Sequence, residues 1–459
     1  MTTDTGDGTP VVAASDLIPL NRSEHMYWAA EGYLGPINIP FILRFDGPVE
    51  TELVRQTMRE LATAYPRMRS VIEPTGLSYR LRVLPDDHQV DQLFEDAFQI
   101  QLGVDGADRQ ALQDLHTVFM NQPMLMERGL PWCARFVPHP THPALLFSIN
   151  HIIGDGRTMV QMLCAIMARL SGQPMKPCQI DSPSMLPAVM PQKWWQWPAN
   201  IRRWWRNTQA DKAAKAGLNI VTLNRRHSTR YTTSSIHYHE IPCSADAMAA
   251  LAKAHKTTVN TLMTAIVGNT FLALARNDPK AAAAIRISVD LRRYYPKGSA
   301  PEFGNFVHSF TVLARRQDTL DTQIHSLESQ VKAHLMRYAR RDYALPLLFY
   351  ELLPLLGRAL FSYLIVRSKV KGSLPTLSCH LSNLGACEFI NPKDARIRLH
   401  ELWPATLSTV FLIGAVILNG KQFLCLTHQN DEIPVEAVDA FRAEFDRQIQ
   451  TLVTEMPTP

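Results

Sequence analysis

Residues 150–156 read Asn150-His151-Ile152-Ile153-Gly154-Asp155-Gly156. The seven residues before His151 form an apolar run suited to a buried strand. Residues 157–170 then carry Val160, Leu163, Ile166, Met167 and Leu170 at helical spacing. The motif therefore belongs on a loop between a strand and a helix N-terminus. A His at a strand end can project into a cleft, where its near-neutral pKa suits proton abstraction. Asp155, four residues on, can hold the loop through an Arg, and Gly156 permits a tight turn and close backbone approach. The free N–H groups of the following helix favour developing negative charge. Taken alone, so short a string is more often a core histidine beside a turn. Its position and company decide between the two.

Working outward, the first half alternates strands and helices. Residues 38–46 are strand-like, and residues 49–65 carry Leu53, Val54, Met58 and Leu61 on one helical face, ended by Pro66. Residues 77–83 predict a strand, and 132–137 with 144–150 a strand pair. The second half resumes with a strand over 232–242. Ser244 caps a helix over 245–255, and a second helix covers 259–275. Strands are predicted over 284–289, 306–313, 376–381, 408–418 and 422–428. A closing helix covers 435–453, with Pro434 at its start.

Between the halves, residues 171–230 lose periodicity under repeated prolines. Three units are expected: an N-terminal domain over 1–180, a Pro/Trp-rich basic linker or crossover over 181–230, and a C-terminal domain over 231–459. The linker holds Trp194-Trp195-Gln196-Trp197 and Ile201-Arg202-Arg203-Trp204-Trp205-Arg206. Basic and indole side chains together suit a membrane interface. They also suit packing of the linker onto the body, and that packing is the expectation.

Bulk properties narrow the class. A chain of 459 residues exceeds the roughly 100–200 of one domain. Its 46% hydrophobic content supports a packed interior. A formal charge of +5 is modest and comes with no nucleic-acid motif. It is compatible with an anionic thioester carrier or an acidic membrane surface. Seven cysteines without a Cys-x-x-Cys pair predict buried free thiols, with neither a disulfide framework nor a structural metal. Residues 1–16 lack the apolar core of a signal peptide. The apolar residues 344–366 contain Pro346, Glu351, Pro354 and Arg358, which favours a buried or surface-docked helical pair over a spanning helix. A cytoplasmic protein is expected, monomeric, with peripheral membrane contact as an option.

Asn150 to Gly156 resembles the His-His-x-x-x-Asp-Gly motif of the chloramphenicol acetyltransferase-like acyltransferases, which include condensation domains, wax ester synthases and alcohol O-acetyltransferases. Further matches follow in order. Pro66-Arg67-Met68-Arg69 is similar to the family's Pro-x-Leu-Arg. Residues 244–265 resemble the helix pair opening its second half. Ser288-Val289-Asp290-Leu291-Arg292 resembles its Val-Asp-Leu-Arg strand end. Gly304-Asn305-Phe306-Val307-His308-Ser309 is similar to its Gly-Asn-Phe-Val-Asn-Thr, and Ser382-Asn383-Leu384-Gly385 to its Ser-Asn-x-Gly loop. The likeness spans nearly the whole chain. Two positions depart from it: Asn150 stands for the first His, and His308 for the second Asn. The plant branch's Asp-Phe-Gly-Trp-Gly is absent.

The resemblance implies an α/β fold, two α/β sandwich domains forming a pseudo-dimer with a tunnel between them. It implies general-base catalysis by His151 without an acyl-enzyme. Asp155 pairs with an Arg, for which Arg292 is the candidate. Gly156 and Asn150 shape the site, while Ser382, Asn383 and His308 are candidate oxyanion or acceptor contacts. No bound cofactor or metal is expected. Acyl-coenzyme A or an acyl carrier protein is the co-substrate, and the acceptor is a hydroxyl of a lipid or secondary metabolite. Two alternatives stand beside this: a free-standing condensation-type enzyme using a carrier-protein thioester, and a non-catalytic lipid- or partner-binding relative.

Overall fold

The computed structural model describes residues 17–76, 78–178, 184–228, 231–352 and 357–455; the stretch read against a signal peptide, 1–16, lies outside them. Two sheets dominate, one per half. The first contains β1 (Asn38–Asp46), β2 (Phe98–Ile100), β3 (Trp132–Val137) and β4 (Ala144–Asn150). β4 is buried at every position, the pattern of a strand covered on both faces. The helices of this half include α1 (Arg22–Leu34), α2 (Thr51–Ala64) and α3 (Gly156–Leu170), and Arg109–Asn121 packs on β4. The buried residues of α2 include Val54, Met58 and Leu61, the stripe read from the sequence. A small sheet of Leu17–Pro19, Ser70–Thr75 and Ser78–Val83 closes this lobe.

The second sheet holds β5 (Ser234–Glu240), β6 (Ala281–Asp290), β7 (Val307–Arg315), β8 (Cys379–Ala386), β10 (Leu412–Leu418) and β11 (Lys421–Gln429), numbered so that β9 (Arg398–Pro404) keeps its place in the chain. Its order is β7-β6-β8-β10-β11-β5, with Asn219–Ile220 added beside β6. β6, β8 and β10 run parallel. One helix behind this sheet, Val259–Leu274, is buried on nearly all sides, as a core helix must be. Ser244 and Pro434 are N-caps as expected.

β9 breaks the expected domain boundary. It lies in the second half of the chain but pairs antiparallel with β1, at the edge of the first sheet. Glu401 fixes it there: buried in the lobe, its carboxylate accepts from Arg44 Nη1 at 2.7 Å and Arg109 Nη2 at 2.6 Å, and Trp403 Nε1 donates to it at 3.0 Å. Two large hydrophobic cores stand out among the described residues, and the first takes in Leu399, Leu402 and Trp403 of β9.

The stretch expected to be an irregular linker contains a 19-residue helix, α4 (Trp197–Lys215). The packing expected of its tryptophans fails for three of them: Trp194 is 80% exposed, Trp195 57% and Trp205 58%. The apolar residues after 343 form two helices, α5 (Ala344–Leu352) and Arg358–Val370, the helical pair expected there. No single helix among the described residues is long and apolar enough to cross a membrane; Ala245–Ala254 with Val259–Leu274 passes on composition but bends by 89°.

Candidate active site at the seam between the lobes

β4 delivers His151. The backbone N–H of His151 still donates to Ile37 O at 2.9 Å, extending the β1–β4 pairing by one step, and the chain then turns into α3. The imidazole is 7% exposed and stacks on Tyr27 of α1, with centroids 4.0 Å apart and planes within 12°. Its Nδ1 is 3.0 Å from Gly154 O. A carbonyl only accepts, so Nδ1 carries the proton and donates. Asn305 Nδ2, 2.9 Å from the same Nδ1, has a separate acceptor in His151 O at 2.8 Å. Nε2 thus keeps its lone pair, with no hydrogen bond among the described residues. Burial lowers the ring's pKa to about 4, against the opposing charge of Asp155. At neutral pH the imidazole is therefore a neutral acceptor.

Asp155 does not orient the imidazole. Both its oxygens are otherwise engaged. Oδ1 accepts from Thr158 N at 3.0 Å, capping α3. Oδ2 accepts from Arg292 Nη1 and Phe306 N, each at 2.8 Å. Burial raises the carboxyl's pKa, and Arg292 with the two backbone N–H groups outweighs it, leaving the net value below the ordinary carboxylate range. Arg292 is saturated as well. It donates to Pro301 O, Asp290, Thr158 Oγ1 and Gly304 O, and lies 4.8 Å over the Phe306 ring. The pair joins the loop of the first lobe to the end of β6 in the second.

A second buried pair braces the same seam. Arg67 Nη1 donates to Glu24 Oε1 at 2.6 Å and lies 3.3 Å from Ile153 O. Glu24 also accepts from Asn305 N, and Asn21 donates to Asn305 O. Gly304 is required between these groups: its φ is +125°, and a Cβ there would stand 2.9 Å from the Phe306 ring and 3.3 Å from Arg67 Nη1. Gly156 serves a close approach, since its Cβ would meet Leu384 of the second lobe at 3.0 Å.

The other residues chosen from sequence fall in different places. Asn150 turns from the ring: its Nδ2 donates to Glu31 and its Oδ1 accepts from Ile152 N. Asn383 donates to Asn260 and accepts from Gly385 N. Ser382 shares a strand face with His380, two residues before it on β8. His308 is not brought to His151. It contacts Tyr338 and Tyr343 on the opposite side of β7 and forms a short hydrogen bond to Tyr338. Its register partner Val289 belongs to the second core, so strand alternation turns it from the seam.

Sequence reasoning missed several groups here. Glu24 and Tyr27 carry no periodic signal of a site, and Asn305 lies within the Gly304–Ser309 motif, which assigns it no role. Arg286 and His380 are register partners on β6 and β8, and Ser288 Oγ lies 2.9 Å from His380 Nε2. Burial lowers His380's pKa to about 3, with Arg286 and His151 adding to the effect. The Arg286 side chain makes no hydrogen bond or ion pair among the described residues, and burial pushes its pKa below the ordinary range. Tyr27 covers one face of the His151 ring. A shallow groove involves another part of α1, lined by His25, Trp28, Tyr79, Arg358 and Phe361.

No family model matches the chain. Polyketide synthase PksN of Bacillus subtilis (strain 168) is 22% identical over 152 residues, 32% of this chain and 3% of that protein; the chain thus spans a small fraction of this curated relative. Among solved structures, the first condensation domain of the CDA synthetase superposes with a TM-score of 0.71 at 12% identity, covering 96% of this chain and 97% of that one. Trichothecene 15-O-acetyltransferase TRI3 from Fusarium sporotrichioides gives 0.63 at 12%, covering 95% and 96%. Polyketide synthase associated protein 5 from Mycobacterium tuberculosis gives 0.62 at 12%, covering 96% and 99%. The fold is that of condensation domains and chloramphenicol acetyltransferase-like acyltransferases, two α/β lobes over nearly the whole chain.

Proposed function

We propose that the protein is an acyltransferase moving an acyl group from a thioester, with coenzyme A as the carrier, to a hydroxyl acceptor of a lipid or secondary metabolite. One observation carries this: an imidazole at the seam of two lobes holds its Nδ1 proton toward Gly154 O and leaves Nε2 unoccupied. The likeness to TRI3, an O-acetyltransferase by name, supports oxygen as the acceptor atom.

In the reaction, Nε2 of His151 takes the proton of the acceptor hydroxyl as its oxygen attacks the thioester carbonyl. The oxyanion forms beside the N-terminus of α3, where backbone N–H groups at Gly156 and the Ser382 hydroxyl supply donors. Collapse breaks the carbon–sulfur bond, and the departing thiolate recovers the proton from His151. No bond to the enzyme forms. Asp155 and Arg292 keep the loop closed and take no proton. Tyr27, lying flat on one face of the imidazole, fixes the ring plane and with it the in-plane direction of the Nε2 lone pair.

The likeness to PksN and to a synthetase condensation domain supports a second reading, a carrier-protein thioester as donor. Free-thiol release separates the two. Turnover of acyl-coenzyme A with an alcohol supports the first reading, and turnover of acyl carrier protein alone supports the second. Release from neither overturns both and leaves a binding protein.

A further inference from the structure

α4 is amphipathic in the reverse sense, with its polar side held against the protein. Asn200 Nδ2 donates to Arg341 O at 3.1 Å, Arg203 Nε to Asp342 at 2.6 Å, and Asp211 accepts from Arg337 at 2.7 and 3.0 Å. These positions recur at helical spacing and define the inward face. The outward face carries Ile201, Arg202, Trp205 and Arg206, all exposed. Exposed Trp194 and Trp195 lead into it, with Lys193 Nζ 5.0 Å over the Trp195 ring. α5 packs beside this helix and exposes Phe349 (61%) and Leu352 (55%).

A soluble protein has little reason to hold polar side chains inward and three indoles outward, since each exposed indole forgoes the burial that a large aromatic side chain can otherwise gain. The charge on this stretch has one sign. Residues 184–210 contain Lys193, Arg202, Arg203 and Arg206 and no Asp or Glu. An acidic residue returns only at Asp211, where it is committed to Arg337. Indoles interleaved with cations match a bilayer interface, where rings settle at headgroup depth and cations meet anionic phosphates.

We infer that the outward face of α4, led by Trp194 and Trp195, docks the protein on an anionic lipid surface. The helix lies in the interface plane and does not span. The inference is independent of the chemistry at His151.

The test is co-sedimentation of the full chain with vesicles of phosphatidylcholine and phosphatidylglycerol, and with phosphatidylcholine alone, read together with tryptophan emission. The wild type is expected to bind the mixed vesicles with a blue shift, and to bind the neutral ones more weakly. Trp194→Ser/Trp195→Ser/Trp205→Ser should lose about tenfold or more in partition on both vesicles. Arg202→Glu/Arg206→Glu should lose roughly fivefold per reversed cation, or more, on the mixed vesicles alone. Both variants alter outward side chains, so unchanged melting is expected and shows that the loss is local. Absence of wild-type binding to mixed vesicles would overturn the inference, as would equal binding by both variants. So would a self-associated species in velocity sedimentation, or a complex with an acidic carrier protein, that the tryptophan variant abolishes while vesicle binding persists.

Discussion

Arg292 and Asp155 are 137 positions apart in the chain, and their side chains meet at 2.8 Å across the seam of the two lobes. Each is saturated by further hydrogen bonds, and both are buried. Removing one partner strands the other charge in a buried site. Asp155→Ala and Arg292→Ala are each expected to cost about 3–5 kcal/mol of stability. The double variant should cost less than the sum, because no lone charge remains. Denaturant melts of the three variants check this, and additive losses would count against a coupled pair.

His151→Ala separates chemistry from structure. Loss of a general base is expected to reduce turnover by about 10²- to 10⁴-fold, with the fold retained. The circular dichroism melt should show a transition close to that of the wild type. Full turnover in this variant would remove His151 from the mechanism.

The acid limb of the rate profile should report the same ring. A base must be unprotonated, and burial lowers the pKa of His151 to about 4. kcat/KM is therefore expected to stay flat below neutrality and to fall only as pH approaches that value. The profile is to be read over the range where far-UV circular dichroism is constant. A fall centred near the ordinary histidine value would show a solvated ring.

Stability should decline in mild acid. Burial lowers His116 and His151 to about 4, and His308 and His380 to about 3. Unfolded histidines titrate near about 6.5. Between these values the unfolded chain binds more protons than the folded one, so acid favours unfolding. Stability from these groups is fully present above about pH 6.5 and is lost as pH falls toward about 4. Calorimetric melting across that window checks the sign, and a flat Tm would contradict it.

Arg286 invites a trade between stability and activity. Its side chain has no hydrogen-bonded or ion-paired partner among the described residues, and it stands beside His380 on the neighbouring strand. Arg286→Met should raise the melting temperature, because a half-buried cation whose side chain has no ion-paired partner among the described residues is removed. It should lower kcat/KM about tenfold if a substrate oxygen anion meets the guanidinium during turnover. Higher stability with unaltered kinetics would make Arg286 a bystander.

The loop at His151 was legible because the period of the sequence changes there, from a continuous apolar strand to a helical stripe, with Asp155 as a cap between them. The pairing of Asp155 with Arg292 could be named from a motif alone. Position by position, the site was less readable. Glu24 and Asn305 meet across some 281 residues of chain; no local pattern announces Glu24, and the motif that holds Asn305 does not tell what it contacts. His308 followed the motif into the site, but strand alternation turns it the other way. α4 escaped notice because the rule looks for an apolar stripe facing a core, and here the stripe faces out. β9 escaped because Arg398, Glu401 and Pro404 make a poor strand pattern, and its partner lies more than 300 residues upstream.

β9 has a consequence for anyone recombining chains of this fold. A chimera joined at the central Pro-rich stretch would take the first lobe from one parent and its outermost strand from another. Glu401 would then face a foreign Arg44 and Arg109. Exchange of whole lobes between relatives therefore succeeds only if residues 398–404 travel with the first lobe, as a graft excised from within the second.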